Sequence, residues 1–220
     1  IVTAQHRNEG MQDVPIAITA FTVESLDRKG ITNIAALGKF TPSVELVGTS
    51  PFSGSTNVLS AYIRGIGQND FAFNLDPGVG VYVDGVYYGR TVGAVVDLLD
   101  LDHVEILKGP QGTLFGRNTI GGAISVVTRD PGKDFGGRGE FIYGEYNRID
   151  VNATLDLPLV EDKLYGQISV ASKTRDGYHH FLKYPGNYVT DVGQLVRPDG
   201  TTYSEAGGEN TQNIRAKLKW

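Results

Sequence analysis

The sequence predicts an α+β unit of short strands and short helices, followed by the start of a transmembrane antiparallel β-barrel. Three observations predict it. Residues 104–128 read VEILKGPQGTLFGRNTIGGAISVVT, with two apolar-alternating strands, Val104 to Leu107 and Ala123 to Thr128, around a connector carrying Gly at 109, 112, 116, 121 and 122. The composition, 29 Gly and 11 Tyr in 220 residues, favours β structure rich in turns. From residue 149 onward, apolar and polar residues alternate along strands of about ten residues, the length that crosses a bilayer in a barrel.

The same sequence excludes several classes. With no Cys there is no disulfide framework and no Cys-based metal site. The four His, two of them adjacent at His179-His180, have no ligand spacing, so no metal site is expected. Asp70 and Asp76 lack the spacing of a calcium-binding loop. A formal charge of −5 leaves no basic footprint for nucleic acid. No apolar run is long enough for a transmembrane helix, which says nothing about a β-barrel. The N-terminus has no charged-then-apolar leader, so in an exported protein it is a mature or truncated start. The Gly-rich connector is neither a nucleotide-binding P-loop, because only three residues separate Gly112 from Gly116 and Arg117-Asn118 follows, nor a dinucleotide fingerprint.

Taken in order, Ile1 to Ala4 are short and β-prone. Asp13 to Phe21 reads as a strand with Pro15 at its edge or start. Thr22 is placed to cap a short helix ending near Gly30, and Asn33 to Leu37 forms another, stopped by Gly38. Pro42-Ser43-Val44 begins an extended stretch, and 48–57 is a loop by turn chemistry. Ala61 to Gly67 is a strand and its exit, and Gln68 to Pro77 a polar loop. Val79 to Tyr88 is a hairpin turning at Asp84-Gly85. Ala94 to Leu99 is a short helix, and Leu101 to Glu105 leads into the Gly-rich segment.

Beyond Pro131 the pattern changes. Gly132 to Gly139 reads as a hinge or linker. Then Ile149, Val151, Ala153, Leu155 and Leu157 share one strand face, with Asp150, Asn152, Thr154 and Asp156 on the other. After a turn at Val160 to Lys163, Leu164, Gly166, Ile168 and Val170 alternate with Tyr165, Gln167 and Ser169. A long polar loop, 176–209, leads to a last strand with Ile214, Ala216, Leu218 and Trp220 opposite Arg215, Lys217 and Lys219. A soluble sheet with one wet face alternates in the same way. Membrane-length strands, alternating short and long connections, and Phe141, Tyr143, Tyr146, Tyr178 and Trp220 near strand ends favour the barrel.

The residues Leu107-Lys108-Gly109-Pro110, Leu114-Phe115-Gly116, Gly121-Gly122, Ile124 and Thr128 resemble the plug domain of TonB-dependent outer-membrane receptors. Ile63-Arg64-Gly65 and Tyr82-Val83-Asp84-Gly85-Val86 match further elements of that family. The resemblance implies a plug domain, a small mixed sheet with short helices, over 1–135, and the first strands of an incomplete outer-membrane barrel over 136–220. Barrels of this kind have about 22 strands, and four cannot close or leave open edges in lipid, so the expectation is the N-terminal part of a longer receptor.

By the same resemblance the function is TonB-dependent active transport of a scarce, bulky ligand across the bacterial outer membrane, a ferric siderophore being the commonest in the family. Cobalamin, haem and oligosaccharide stay open as ligands, as do a signalling receptor of the same architecture and a soluble β-rich binding module. The resemblance implies no catalytic residues and no cofactor, the ligand itself being of the ferric-chelate class. TonB, outer-membrane lipid and a small-molecule ligand are the implied partners, with no nucleic acid. Ile1, Val2, Thr3 and Ala4 resemble the end of the TonB-coupling segment, which a partner captures as an added strand. The family layout places ligand contacts at Phe52, Asn69, Asp70, Phe71, Tyr87, Tyr88 and Arg90, with Arg90 suited to an anionic chelate. It places Arg64 and Lys108 as plug-to-barrel anchors facing barrel carboxylates.

Overall fold

The computed structural model describes residues 9–10, 12–48, 58–70, 72, 74–92, 100–180, 195–196, 202–203 and 205–220. The chain divides into two compact units, Ile1–Arg129 and Asp130–Trp220.

The first unit opens with β1 (Ala17–Thr22), helix α1 (Val23–Lys29) and a 3-10 helix (Ile34–Phe40). Strands β2 (Val44–Val47), β3 (Ser60–Ile63), β4 (Ile66–Gln68), β5 (Val79–Val83), β6 (Val86–Tyr88) and β7 (Leu101–Lys108) follow, then the one-turn helix α2 (Gly112–Phe115) and β8 (Gly122–Thr128). Five of these strands form a mixed sheet in the order β1-β7-β8-β5-β6, with β5 and β8 parallel and the other neighbours antiparallel. Strands β2, β3 and β4 make a separate antiparallel sheet.

Both faces of the mixed sheet are covered, and its central strands β5 and β8 read as nearly continuous apolar runs rather than clean alternations. Phe21, Val79, Val81, Val104, Ile106, Ile124 and Val126 turn to one side and pack with Leu26 of α1, Ile34 and Leu37 of the 3-10 helix, and Leu46 and Ile63. Tyr82, Leu107 and Ala123 turn to the other side and pack with Val14. Burying a side chain of this size stabilises by about 1.5–3 kcal/mol, so these two clusters hold the unit together.

Several local expectations are corrected. The first strand starts at Ala17, not Asp13: residues 12–16 are turn and bend, and Pro15 has no N–H to add to a ladder. The second helix runs past Gly38 to Phe40, because Gly38 serves packing; a Cβ there would lie 2.8 Å from the Leu46 backbone nitrogen. Residues 61–67, expected as a strand and its exit, form the β3–β4 hairpin, turning at Arg64 and Gly65 with φ of 54° and 80°. Arg64 hides that turn, since a non-Gly residue seldom takes positive φ. The Gly-rich connector contains α2. The expected helix at 94–99 lies outside the described residues, as does the loop at 49–57.

The caps read from sequence are in place. Thr22 occupies the N-cap position of α1 without a side-chain capping hydrogen bond, and Gly30 ends the helix at φ 63°. Asn33 caps the 3-10 helix by accepting a hydrogen bond from the Ala36 N–H at 3.0 Å. The β5–β6 turn has Asp84 and Gly85 at φ of 49° and 79°, as a two-residue hairpin requires.

In the second unit, β9 (Gly136–Gly144), β10 (Arg148–Val160) and β11 (Leu164–Arg175) are followed by four two-residue strands, β12 (His179–His180), β13 (Leu195–Val196), β14 (Thr202–Tyr203) and β15 (Glu205–Ala206), and by β16 (Glu209–Lys219). The long strands form one antiparallel sheet in the order β16-β11-β10-β9. The hinge expected at 132–139 therefore ends before Gly136. Gly136, Gly137 and Gly139 have no side chains to show an alternation, yet their backbones pair with Asp156, Leu155 and Ala153. This sheet buries its polar face: Asp150, Thr154, Asp156, Gln167 and Ser169 are buried, while Ile149, Val151, Leu155, Ile168 and Val170 are exposed. Phe141, Tyr143, Tyr146, Tyr178 and Trp220 are exposed as well.

Candidate functional site

The β5–β6 hairpin positions the candidate ligand contacts. Successive side chains on a strand point to opposite faces, and Tyr87 and Tyr88 therefore part company. Tyr88 and Arg90 line an open cleft with Gln68 and Thr91, over a floor of Leu59, Ala61, Pro77, Val79 and Val81. The Leu59 N–H donates to the Thr91 carbonyl at 2.9 Å, which ties the end of this hairpin to the start of β3. Arg90 makes one long contact, Nη1 to the Leu75 carbonyl at 3.4 Å, and its guanidinium is exposed.

Tyr87 turns away. Its ring packs on Tyr82 with centroids 5.3 Å apart, and its hydroxyl accepts a hydrogen bond from Asn118 Nδ2 at 2.9 Å. Tyr82 in turn donates to the Phe115 carbonyl at 2.6 Å, and burial pushes its phenol above the ordinary tyrosine range. Asn69 and Asp70 are exposed at the exit of β4. The Asp70 carboxylate accepts from the Ala72 N–H at 2.9 Å, which shapes its own turn. Thus Tyr88 and Arg90 meet in one cleft, Asn69 and Asp70 stand beside Gln68 in the chain, and Tyr87 belongs to a packing cluster. Phe52 and Phe71 lie outside the described residues, as do Ile1, Val2, Thr3 and Ala4.

Arg64 and Lys108 are neighbours. Arg64 sits in the β3–β4 turn, and a Cβ added to Gly109 would lie 3.2 Å from its Nη1. Partial burial, and then the Arg64 charge, hold the Lys108 ammonium below the usual lysine range. Among the described residues neither cation has a carboxylate partner.

Two polar clusters escaped the sequence reading. The Asp84 carboxylate, at the β5–β6 turn, is hydrogen-bonded to both the backbone N–H and the hydroxyl of Thr128. The signal was present in the left-handed Asp-Gly turn, but its partner lies 44 residues away. On β7, His103 stands between two carboxylates, with Nδ1 2.6 Å from Asp102 Oδ2 and Nε2 2.9 Å from Glu105 Oε1. The hydrogen bond to Glu105 is the main cause that raises the His103 pKa, against the opposing effect of burial, and Asp102 adds to it. Among the described residues, no group of three or more His, Cys, Asp or Glu is arranged to hold a metal ion.

Comparison with known proteins matches residues 11–123 to the family model described as the TonB-dependent receptor plug domain. The pesticin receptor of Yersinia pestis is 30% identical over 164 residues, covering 74% of this chain and 23% of that receptor. The ferripyoverdine receptor of Pseudomonas aeruginosa is 28% identical over 150 residues, covering 68% of this chain and 17% of that receptor. The chain thus spans less than a quarter of the length of these curated relatives. Among solved structures, the ferric yersiniabactin uptake receptor of Yersinia pestis superposes with a TM-score of 0.70 at 24% identity, over 92% of this chain and 28% of that one. The outer-membrane ferripyoverdine receptor of Pseudomonas aeruginosa gives a TM-score of 0.66 at 21% identity, over 82% of this chain and 23% of that one. These likenesses extend the shared fold through both units.

Proposed function

The chain belongs to the TonB-dependent receptor plug-domain family, and from that premise we propose that it is the plug and first barrel strands of a bacterial outer-membrane receptor that actively takes up a ferric siderophore. The observation that carries this reading is the succession, in one chain, of a plug fold and a four-stranded sheet with an exposed apolar face and a buried polar one. That inversion suits strands set between lipid and a polar lumen. The ligand class follows from relatives named for ferripyoverdine and for catecholate siderophores.

In this reading, residues 1–135 are the coupling segment and plug, and 136–220 begin the barrel. The plug blocks the lumen, ligand settles on its outer loops, and TonB draws on Ile1 to Ala4 to remodel it. Tyr88 supplies a broad contact surface with a polar tip, and Arg90 a fixed cation for an anionic chelate. Asn69 and Asp70 flank them, and Phe52 and Phe71 complete the contact set; Tyr87 holds the hairpin that carries Tyr88. Arg64 and Lys108 meet carboxylates on barrel strands beyond this chain. Two adjacent cations with no anion among the described residues support that role. Transport breaks no bond in the ligand, so no residue is assigned to catalysis.

The test uses the full receptor in outer membranes with a panel of ferric chelates. Binding is followed by fluorescence quenching, and uptake by radioactive iron. Deleting Ile1 to Ala4 should leave binding intact and abolish uptake, while Arg90→Ala should weaken binding about tenfold or more, the scale of one lost charge-assisted contact. Binding of none of the chelates, with cobalamin, haem or an oligosaccharide bound instead, would replace the ligand class. Unchanged uptake after the deletion would remove the coupling assignment.

A further inference from the structure

We propose that the Gly-rich connector 109–121 positions the candidate ligand cleft, with Asn118 as a positioning residue that acts on Tyr88 through the Tyr87 hydroxyl. The inference deepens the transport reading and rests on it for the ligand.

Strand β6 is three residues long, forms an edge of the mixed sheet and pairs with β5 alone in that sheet. A hairpin this short is marginal by itself, so contacts beyond its own ladder fix where it lies. Its cross-strand pairs divide between two faces. Val81 stands opposite Tyr88, and both line the cleft. Tyr82 stands opposite Tyr87 on the other face, with ring centroids 5.3 Å apart. The two pairs share one pleated backbone, so holding the second pair in place also aims the first.

The connector holds the second pair by both hydroxyls. Tyr82 on β5 donates to the Phe115 carbonyl at 2.6 Å, and its ring meets that of Phe115 edge-on with centroids 5.0 Å apart. Tyr87 on β6 accepts from Asn118 Nδ2 at 2.9 Å, across 31 residues of chain. The connector lies directly against β5, since a Cβ at Gly80 would lie 2.7 Å from Thr119 Cγ2. It is itself fastened on either side of Asn118. The Thr119 hydroxyl donates to the Gly116 carbonyl at 2.8 Å, the Gln111 N–H to the Thr119 carbonyl at 2.9 Å, and the Gly121 N–H to the Gly78 carbonyl at 2.9 Å. Asn118 itself has φ 66°, a left-handed conformation that Asn tolerates. Asn118 and Tyr87 are not among the residues that line the cleft, so a change in either reaches the ligand through the hairpin. A contact surface fixed before binding spares the ligand the cost of ordering it.

The test uses the full receptor in detergent, first without ligand. A nitroxide label is placed at Tyr88→Cys, with any native Cys outside this chain changed to Ser. Tyr87→Phe keeps the ring, and Asn118→Gly keeps the left-handed backbone. Each should make the label more mobile. Asn118→Asp, whose carboxylate accepts from the Tyr87 hydroxyl, should restore the wild-type spectrum. A label at Ala17→Cys, on β1 at the opposite edge of the sheet, should stay unchanged, which a general loosening of the unit would not allow. With Tyr88 in place, affinity for ferripyoverdine or a ferric catecholate should fall about three- to tenfold in Tyr87→Phe and in Asn118→Gly, and no further when the two are combined. If neither chelate binds the wild type, the ligand class of the transport reading fails, and the label at residue 88 alone decides the positioning. An unchanged label spectrum at residue 88 in Tyr87→Phe or Asn118→Gly, or wild-type affinity in both variants, overturns the proposal. Should Asn118→Gly fail to fold, Tyr87→Phe decides by the same two readouts.

Discussion

Asp84 reaches from the β5–β6 turn to close the end of β8, its carboxylate accepting from the Thr128 backbone N–H at 2.8 Å and from the Thr128 hydroxyl at 2.6 Å. The Asp84 N–H completes the link by donating to the Val126 carbonyl at 2.9 Å. One residue thus sets the turn and fastens a parallel pair of strands far apart in sequence. Asp84→Ala removes both charge-assisted bonds and puts a β-carbon residue less suited to φ 49° in the turn. It should destabilise the 220-residue chain by about 2–3 kcal/mol, read from the urea midpoint at unchanged slope. Asp84→Asn tolerates the left-handed turn and keeps one acceptor, so it should cost about half as much.

Gly122 and Gly30 both have positive φ, at 150° and 63°, but their surroundings differ. A Cβ at Gly122 would lie 2.2 Å from the Leu107 carbonyl oxygen and 2.9 Å from Ile63 Cδ1, where β7, β8 and the β3–β4 hairpin converge. A Cβ at Gly30 meets nothing within 4 Å. Gly122→Ala should therefore cost more than about 4 kcal/mol or prevent folding, and Gly30→Ala only about 1–2 kcal/mol of left-handed strain. Thermal unfolding of the two variants side by side gives the comparison.

The strands and caps were legible where a local signal sufficed. Thr22 and Gly30 bracket α1, Asp84-Gly85 marks its hairpin, and the alternation from Ile149 to Leu157 marks β10 and both of its faces. The misses have physical reasons. Arg64 occupies a turn position that Asn or Asp usually signals, so the sequence shows β3 and its exit but not the return strand β4. Glycines carry no pattern, so the start of β9 read as linker. At the candidate site the hairpin is legible in the sequence, but the pleat separates its two tyrosines: Tyr87 and Tyr88 are adjacent, and only Tyr88 reaches the cleft. The His103 cluster depends on both ring nitrogens meeting carboxylates in a buried setting, which spacing alone does not reveal.

Arg64 and Lys108 repel each other in this chain, and each lacks a carboxylate among the described residues. Removing the Arg64 charge should let the Lys108 pKa rise back toward the usual lysine range. A lysine held low in the folded state carries a cost at neutral pH that fades as pH rises toward its unfolded value. Arg64→Gln should therefore make Lys108 less reactive toward reductive methylation at fixed pH and should not lower the stability of the chain. In the full receptor, where barrel carboxylates are proposed to complete the site, the double variant Arg64→Gln with Lys108→Gln should loosen the plug, read as greater protease access to the 104–128 segment. Unchanged Lys108 reactivity in Arg64→Gln would show that the two charges are not coupled.

The four-stranded sheet separates a lipid-facing reading from a soluble one by which face accepts a charge. Ile168, Ile214 and Leu218 are exposed on the apolar face, whereas Gln167 is only 1% exposed and receives its partner inside, with Nε2 donating to Asp156 Oδ1 at 2.9 Å. In a soluble sheet an exposed position takes Arg at little cost. In a barrel strand, Arg on the lipid face costs about 2–4 kcal/mol near the bilayer midplane. Ile168→Arg in the full receptor should therefore reduce the heat-modifiable folded band in outer-membrane fractions. Thr154→Val, on the opposite face, loses the hydroxyl bond to Ser169 at 3.0 Å and should cost only about 1 kcal/mol without impairing insertion. Equal folded yields for Ile168→Arg and wild type would mean that the exposed apolar face does not meet lipid, and the barrel assignment of β10 and β11 would fall with it.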